Sequence, residues 1–292
     1  MSLSFRQTRV LLAGLVLMTS ILEANAQHPT KANAAAEPQV VDRKFESKAL
    51  GRSVSYRIVV PRDYNRSARR YPVLYLLHGL NGSFDSWETR TNLVRYAEKY
   101  QFLIAMPDAG DSWYVNSATV PADRYEDFIA DDFINEVETN WRVLKSPHRR
   151  AVAGLSMGGY GALKLALRHP GMFAFAGSIS GALNAPGELA TERPDFAKKL
   201  AEVFGPPESE TRAKNDIYAM AREVKPADSL YLYIDCGNAD WALASNREFV
   251  KILSEKKFRY EYHEFPGMHS WEYWDHRLPD LLESVAQRIS RP

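Results

Sequence analysis

The sequence predicts an α/β fold in which helices cover both faces of a mostly parallel central sheet. Short apolar runs alternate with amphipathic helical stretches along most of the 292 residues, and no internal repeat interrupts the pattern. The composition, 45% hydrophobic and 25% charged, supplies enough apolar residues for a sizeable core. Apolar runs alternating with helices are typical of parallel strands joined by helical crossovers. Ligands then bind beyond the carboxyl ends of the strands.

The N-terminus predicts an export signal over residues 1–26. Two arginines precede the apolar run 10–17, and a small-residue segment at 24–26 follows it, which is typical of a cleaved secretory signal. A membrane anchor is the alternative, but the run is shorter than the roughly 20 residues that span a bilayer. We therefore expect a flexible leader at 27–38, no stable membrane insertion after cleavage, and a periplasmic or extracellular protein.

Charge and cysteine content exclude some partners and bonds. The chain has 37 basic and 36 acidic residues, and removal of 1–26 takes away two Arg and one Glu, which leaves 35 of each. No broad field is then expected to attract nucleic acid. The single cysteine, Cys236, cannot form an internal disulfide. We interpret it as a buried strand residue, with a nucleophilic role as the alternative; the sequence does not indicate the oligomeric state.

Residues 39–292 are predicted to form one domain. It begins with strands at 40–47 and 53–60, which suit a hairpin at the sheet edge. Six apolar runs predict further strands, at 73–77, 102–106, 151–155, 175–179, 230–234 and 260–265. Helical patterns lie at 91–99, 124–140, 158–169, 242–256 and about 273–289. The proline-containing stretch 184–228 is either a helical insert near the pocket mouth or a solvated surface insert.

The segment Gly154-Leu155-Ser156-Met157-Gly158 matches the G-x-S-x-G nucleophile elbow. A predicted strand leads into it and a predicted helix leads out, with glycines where the backbone is most crowded. This context predicts the α/β-hydrolase fold, with the Ser156 hydroxyl exposed at a helix N-terminus. The alternative is a glycine-rich turn with a purely structural role.

The serine needs a base, and position selects one of the seven histidines. Five lie in the leader, at the opposite end of the sheet, within a strand or within the last helix: His28, His148, His169, His263 and His276. His269 follows the final strand, where the base of this fold projects. His78 also follows a strand, but it precedes the serine in the chain, and we expect it to order the loop after it.

The base needs a carboxylate that fixes its tautomer and stabilises its charged form. Asp235 and Asp240 both follow the apolar run 230–234. We favour Asp240, because it lies in the loop and can reach His269, whereas Asp235 lies at the strand end. The alternative for Asp240 is an N-cap of the following helix.

An oxyanion hole needs two donors. The Met157 N–H is one candidate, and the Leu80 N–H, in the glycine-containing loop 78–82, is the other. Trp113, Tyr114 and Trp271 are expected near the same edge and could line an acyl or aryl pocket. Singly, such aromatic residues more often serve packing.

Together these residues resemble the esterase D family, also called the putative esterase family, which includes S-formylglutathione hydrolases, tributyrin and feruloyl esterases, and secreted mycolyltransferases. The resemblance runs from about Tyr56 to the C-terminus through four motifs, Leu76-Leu77-His78-Gly79-Leu80, Pro107-Asp108-Ala109-Gly110, Gly154-Leu155-Ser156-Met157-Gly158-Gly159-Tyr160-Gly161 and His269-Ser270-Trp271. It implies a Ser156, Asp240 and His269 triad, the Leu80 and Met157 amides as oxyanion hole, and no cofactor.

The sequence therefore predicts a secreted carboxylesterase that acts on a small-molecule, carbohydrate or aryl ester through an acyl-enzyme on Ser156. One alternative is an acyltransferase of the mycolyltransferase type, in which a sugar or lipid hydroxyl replaces water as the acceptor. Another is a non-catalytic carbohydrate-binding protein. Metal catalysis has little support, because the chain has no H-E-x-x-H pair and its histidines are scattered.

Overall fold

The computed structural model describes residues 38–227 and 229–290. The predicted export signal and nearly all of the predicted leader lie outside these residues and stay predictions. None of the helices in the described ranges is long and apolar enough to cross a membrane.

Eight strands form one sheet. Their bounds are β1 Gln39–Ser47, β2 Arg52–Val60, β3 Val73–Leu77, β4 Leu103–Pro107, β5 Arg150–Leu155, β6 Phe175–Ile179, β7 Tyr231–Gly237 and β8 Tyr260–Phe265. The spatial order is β1-β2-β4-β3-β5-β6-β7-β8. β1 and β2 form the antiparallel edge hairpin, β2 pairs antiparallel with β4, and the pairs from β4 to β8 are parallel. The predicted α/β fold is confirmed.

Helices connect the strands and close the chain. Their bounds are α1 Ser86–Arg90, α2 Leu93–Ala97, α3 Tyr125–Asp127, α4 Ile134–Asn140, α5 Met157–Arg168, α6 Leu189–Glu192, α7 Pro194–Phe204, α8 Glu210–Lys214, α9 Ile217–Glu223, α10 Leu243–Glu255 and α11 Trp271–Ile289. A π-helical segment, Phe128–Phe133, joins α3 to α4. Single turns of 3₁₀ helix lie at Tyr64–Arg66 and Pro147–Arg149.

Alternate side chains of the buried strands enter two separate cores. In β3, Val73, Tyr75 and Leu77 pack in the core that includes α5, whereas Leu74 and Leu76 pack in the core that includes α11. This alternation follows from the two-residue period of a strand. Burial on both faces explains why the run is apolar throughout. The arrangement brings the carboxyl ends of the parallel strands to one edge, where the loops after β3, β5, β7 and β8 meet.

Several element boundaries differ from the predicted ones, and two of these differences have local reasons. The helix predicted at 91–99 is only α2, Leu93–Ala97, and it follows an unpredicted short helix, α1, which ends where Thr91 adopts an extended conformation (φ −138°, ψ 173°). The last helix begins two residues earlier than predicted, at Trp271, where the Ser270 hydroxyl accepts a hydrogen bond from the Tyr273 N–H and caps the helix. The stretch 184–227 contains α6 to α9.

Candidate active site

Ser156 lies at the sharp turn between β5 and α5. Its backbone has φ 52° and ψ −117°, a sparsely populated conformation that costs about 1–3 kcal/mol in a non-glycine residue. Hydrogen bonds hold the turn, because the Ser156 N–H donates to the Ile179 carbonyl (3.0 Å) and its carbonyl accepts from the N–H groups of Tyr160 (3.0 Å) and Ala182 (3.2 Å). The side chain is presented at the start of α5.

The glycines around Ser156 allow this turn to pack against β3. A Cβ atom on Gly158 would lie 2.5 Å from the carbonyl oxygens of Leu77 and His78, and one on Gly154 would lie 2.4 Å from the Gly158 backbone. Neither distance leaves room for a carbon atom. The close approach of backbone to backbone therefore requires glycine at both positions of the G-x-S-x-G segment.

The structure brings Ser156, His269 and Asp240 together. His269, in the loop between β8 and α11, places Nε2 2.9 Å from Ser156 Oγ. Its Nδ1 lies 2.9 and 3.0 Å from the two carboxylate oxygens of Asp240, in the loop after β7. A carboxylate only accepts hydrogen bonds, so Nδ1 carries the proton and Nε2 is left to accept from the Ser156 hydroxyl. This tautomer is the one that a general base requires.

Asp240 also accepts the Ala242 N–H at its Oδ1 (2.8 Å), but it is not the N-cap of α10, because that position is Ala242 and no side chain caps the helix. Its carboxylate is completely buried, while the His269 ring is 18% exposed. The rings of Trp241 and Trp274 lie 4.6 and 5.0 Å from the His269 ring. These contacts fix the imidazole from two sides.

Asp235, the other carboxylate considered, is occupied elsewhere. It accepts from the Tyr233 hydroxyl (3.1 Å), the Tyr273 hydroxyl and Arg277 Nε (2.8 Å). Burial raises the pKa of Asp235, and these hydrogen bonds and the Arg277 charge oppose the rise. The residue ties β7 to α11 and does not hydrogen-bond to His269.

Cys236 is also set apart from a nucleophilic role. Its side chain is fully buried, and burial raises the pKa of the thiol well above its ordinary value. A thiolate is the reactive form of cysteine, so this environment disfavours reaction.

His78 orients the loop that carries Leu80. The Ala109 N–H donates to His78 Nε2 (3.0 Å), so Nδ1 carries the proton and donates to the Gly79 carbonyl (2.8 Å). Burial lowers the pKa of His78, which favours this neutral form. Because a trans peptide points its C=O and N–H in opposite directions, holding the Gly79 carbonyl also directs the Leu80 N–H. We expected His78 to order the loop that follows it. In the structure it contacts that loop at the peptide unit between Gly79 and Leu80.

The two candidate oxyanion donors lie in the loop after β3 and at the first residue of α5. Leu80 lines the cavity in which Ser156 lies, and Met157 is the first residue of α5, where backbone N–H groups lack helical partners. In the described part of the chain, neither N–H donates to another protein group. Both are available for an acceptor from outside the protein.

Ser156 and His269 open into a cavity of about 510 Å³. Of the predicted pocket residues, Trp113 and Trp271 line it, whereas Tyr114 does not. Trp113 and Tyr114 both have φ 57°, and this turn buries Tyr114 completely, with its hydroxyl donating to the His78 carbonyl (2.8 Å). The pocket role that we predicted for Tyr114 is therefore corrected to support of the loop that carries Leu80.

The lining residues that were not predicted include three aromatic residues, two arginines and a methionine: Phe196, Trp241, Trp274, Arg90, Arg193 and Met268. Two of them had a usable signal in the sequence. Trp274 follows Trp271 at helical spacing, and Trp241 is adjacent to Asp240. Arg193 and Phe196 come from the stretch 184–227, for which an insert near the pocket mouth was one of two interpretations, and no local pattern indicates which of its side chains line the cavity.

Comparison with known proteins identifies a family and related chains. The family described as "Putative esterase" matches residues 47–285. An esterase of Mycobacterium tuberculosis is 32% identical over 280 residues, which cover 87% of this chain and 60% of the relative. This chain thus spans about 60% of the length of that relative. A diacylglycerol acyltransferase/mycolyltransferase of Mycobacterium leprae is 25% identical, over 94% of this chain and 91% of the relative.

Two solved structures share the fold along nearly their whole length. A ferulic acid esterase superposes with a TM-score of 0.74 at 26% identity, covering 87% of this chain and 99% of its own. A fluorophosphonate-binding serine hydrolase of Staphylococcus aureus superposes with a TM-score of 0.76 at 25% identity, covering 86% and 99%. With the family match over residues 47–285, these likenesses show that the chain belongs to the "Putative esterase" family.

Proposed function

We propose that the protein is a secreted serine carboxylesterase. The observation that carries this proposal is the hydrogen-bonded line from Ser156 Oγ through the His269 ring to Asp240, with distances of 2.9 Å at each step. Ser156 and His269 open into a cavity that has four tryptophans and a phenylalanine in its lining. Membership of the esterase family supports the reaction class. Export rests on the sequence of residues 1–26, and N-terminal sequencing of protein recovered from outside the cytoplasm would test it.

In the first half of the proposed reaction, Ser156 Oγ attacks the ester carbonyl carbon while His269 Nε2 takes the hydroxyl proton. The carbonyl oxygen becomes an oxyanion and accepts hydrogen bonds from the N–H groups of Leu80 and Met157. Asp240 stabilises the imidazolium that forms. The tetrahedral intermediate then expels the alcohol oxygen, which takes the proton from His269, and an acyl-Ser156 ester remains.

In the second half, a water molecule gives its proton to His269 Nε2 and attacks the acyl carbon. The second tetrahedral intermediate uses the same two amides. When it collapses, Ser156 Oγ regains the proton from His269 and the carboxylic acid is released. The same histidine therefore serves as base and acid in each half-reaction.

Covalent labelling tests the nucleophile directly. A fluorophosphonate probe should label Ser156 and stop ester turnover, and Ser156→Ala should lose both labelling and turnover of p-nitrophenyl acetate. Ser86 is a matched control, because it lines the same cavity without a histidine partner in the described residues, and Ser86→Ala should still be labelled. If folded protein is not labelled, the alternative of a non-catalytic carbohydrate-binding protein is favoured.

The second candidate function is acyl transfer to a sugar or lipid hydroxyl. It is favoured by the likeness to the diacylglycerol acyltransferase/mycolyltransferase of Mycobacterium leprae. The catalytic residues would be the same, so only the fate of the acyl group distinguishes the two functions. Product analysis in the presence of carbohydrate acceptors separates them, since hydrolysis gives free acid alone and transfer gives a new ester.

A further inference from the structure

Among the described residues, the lining of the cavity contains basic side chains but no acidic ones. Two arginines, Arg90 and Arg193, line the cavity, and no Asp or Glu is among its lining residues in the described part of the chain. The remaining charge near the cavity floor belongs to Asp240, which is fully buried behind His269. An ester that enters therefore meets guanidinium groups rather than carboxylates.

The charge of Arg193 is already compensated. Its Nε and one terminal nitrogen donate to the two carboxylate oxygens of Asp195, at 3.1 and 2.8 Å. The guanidinium also lies over the rings of Phe196 and Trp241, 4.4 and 5.1 Å from their centroids. Arg193 thus forms part of an aromatic wall and has little capacity left for an anion.

Arg90 is not compensated in this way. No carboxylate of the described residues lies within ion-pairing distance of it. The neighbouring carboxylates have other partners, because Glu88 pairs with Arg57 (2.6 Å) and Asp275 accepts from the Asn92 N–H (2.7 Å). Arg90 is the cavity-lining cation with donors to spare.

A tryptophan holds Arg90 at the cavity edge. The guanidinium carbon lies 5.3 Å from the centroid of the Trp271 ring. That ring packs edge-on against Trp87 (5.9 Å) and Trp274 (5.1 Å), so its position is fixed from both sides. A guanidinium stacked on an aromatic face keeps its in-plane N–H donors available, and these match the two oxygens of a carboxylate.

We propose that Arg90 selects esters that carry a carboxylate a short distance from the scissile bond. This inference rests on the proposed esterase function and adds the substrate class to it. The anion is bound by the in-plane donors of Arg90, while the apolar part of the substrate lies against Trp113 and Trp271. The carboxylate belongs to either the acyl or the alcohol portion of the ester, and each case gives a different result in the test below.

The test compares esters that differ only in charge. On the alcohol side, the pair is 4-acetoxybenzoate and 4-acetoxybenzamide; on the acyl side, it is phenyl 4-carboxybenzoate and phenyl 4-carbamoylbenzoate. The carboxamide has nearly the shape of the carboxylate but no charge. The readout is kcat/KM for the anionic ester divided by kcat/KM for its neutral partner, in the full-length mature protein.

In Arg90→Gln we expect this ratio to fall about tenfold in one of the two pairs, the effect typical of losing one charge-assisted hydrogen bond. Arg90→Lys should keep part of the ratio, because it retains charge but not the planar donors. The matched control is Arg95→Gln, since Arg95 is an exposed arginine that also lies over a ring, 5.0 Å from that of Tyr96, outside the cavity lining. It should keep the parent ratio.

A ratio that stays within twofold of the parent value in Arg90→Gln, for both pairs, would overturn the inference while leaving the esterase proposal intact. An equal fall in Arg90→Gln and Arg95→Gln would also overturn it, because the effect would then come from the general field of the surface. If the parent protein turns over p-nitrophenyl acetate but none of the four esters, the inference is overturned while the esterase proposal stands. Failure to turn over p-nitrophenyl acetate as well would overturn the proposed function, and the inference with it.

Discussion

Replacement of Asp240 by Asn changes the charge of the residue behind His269 with almost no change in shape. The Asp240 Oδ1 accepts the N–H of Ala242 at 2.8 Å and lies 2.9 Å from His269 Nδ1, while Oδ2 lies 3.0 Å from the same nitrogen. An Asn that keeps the Ala242 bond places its NH₂ group at the Oδ2 position. That group donates to Nδ1 and so favours the tautomer with the proton on Nε2, which faces Ser156.

Two losses combine in this variant. The wrong tautomer cannot take the Ser156 proton, and the imidazolium that forms in the transition state loses its anionic partner. Losing the charge-assisted hydrogen bond alone costs about 1.5–3 kcal/mol, or about 10- to 150-fold in rate. With the tautomer effect, the expected loss of kcat is about 10³- to 10⁴-fold, as in triads of this kind, which corresponds to about 4–5.5 kcal/mol in the activation free energy.

The assay is the initial rate of p-nitrophenyl acetate hydrolysis, measured with urea unfolding of the same samples. Asp235→Asn is the matched control. Like Asp240, Asp235 has a fully buried carboxylate, but it lies on β7 and its partners are Tyr233, Tyr273 and Arg277. It should lose stability and keep its activity per folded molecule. A kcat loss below tenfold in folded Asp240→Asn, or equal losses in the two variants, would refute the reasoning.

Three further predictions concern the scaffold around the site. Replacing His78 with Ala removes the hydrogen bond to the Gly79 carbonyl (2.8 Å from Nδ1). We expect kcat to fall about 10- to 100-fold with a smaller change in KM, because the Leu80 N–H is proposed to bind the oxyanion, which forms only in the transition state. A change in KM alone would contradict this. Burial alone would raise the pKa of Glu126, but the neighbouring Lys164, His169 and Arg168 lower it to about 2 from an ordinary 4.5. The ionised Glu126 therefore contributes fully to the unfolding free energy above pH 4.5, and this contribution is lost as the pH falls towards 2. The difference in urea-unfolding free energy between the parent and Glu126→Gln should therefore shrink over that range, and a constant difference would contradict the assignment. In Gly158→Ala the new Cβ would lie 2.5 Å from the Leu77 carbonyl, and unfolding should become easier by about 1–3 kcal/mol, whereas Gly187→Ala, with its nearest neighbour at 3.8 Å, should change little.

The strands were predictable where burial is complete and turns follow. The five residues of β6 are buried on both faces, so the apolar run and the strand have the same ends. The run 230–234 predicted only part of β7, which continues to Gly237, because hydropathy falls at Asp235. The structure accommodates that carboxylate with Tyr273 and Arg277 from α11. These hydrogen bonds join residues that are 38 and 42 positions apart in the chain, so no local sequence pattern indicates them.

The arrangement of the site followed from chain order and from the ends of parallel strands. These two facts place the loops after β5, β7 and β8 at one edge, which is sufficient to bring Ser156, Asp240 and His269 near one another. They do not specify side-chain directions within a loop. Tyr114 illustrates this limit. Two consecutive non-glycine residues, Trp113 and Tyr114, have positive φ, so their side chains do not alternate in direction as they would in an extended segment. No residue type in that segment indicates the turn.

The segment containing that turn lines the cavity with Trp113 and contacts the loop that carries Leu80 through Tyr114. Each positive φ at Trp113 and Tyr114 costs about 1–3 kcal/mol, so the surroundings must hold the turn in place. Lys164, completely buried on α5, does so by donating to the Tyr114 carbonyl (2.7 Å) and to Glu126 (2.6 Å). The Tyr114 hydroxyl in turn donates to the carbonyl of His78 (2.8 Å). Trp113, which lines the cavity, and the loop that carries His78 and Leu80 are therefore held in place by one set of buried contacts.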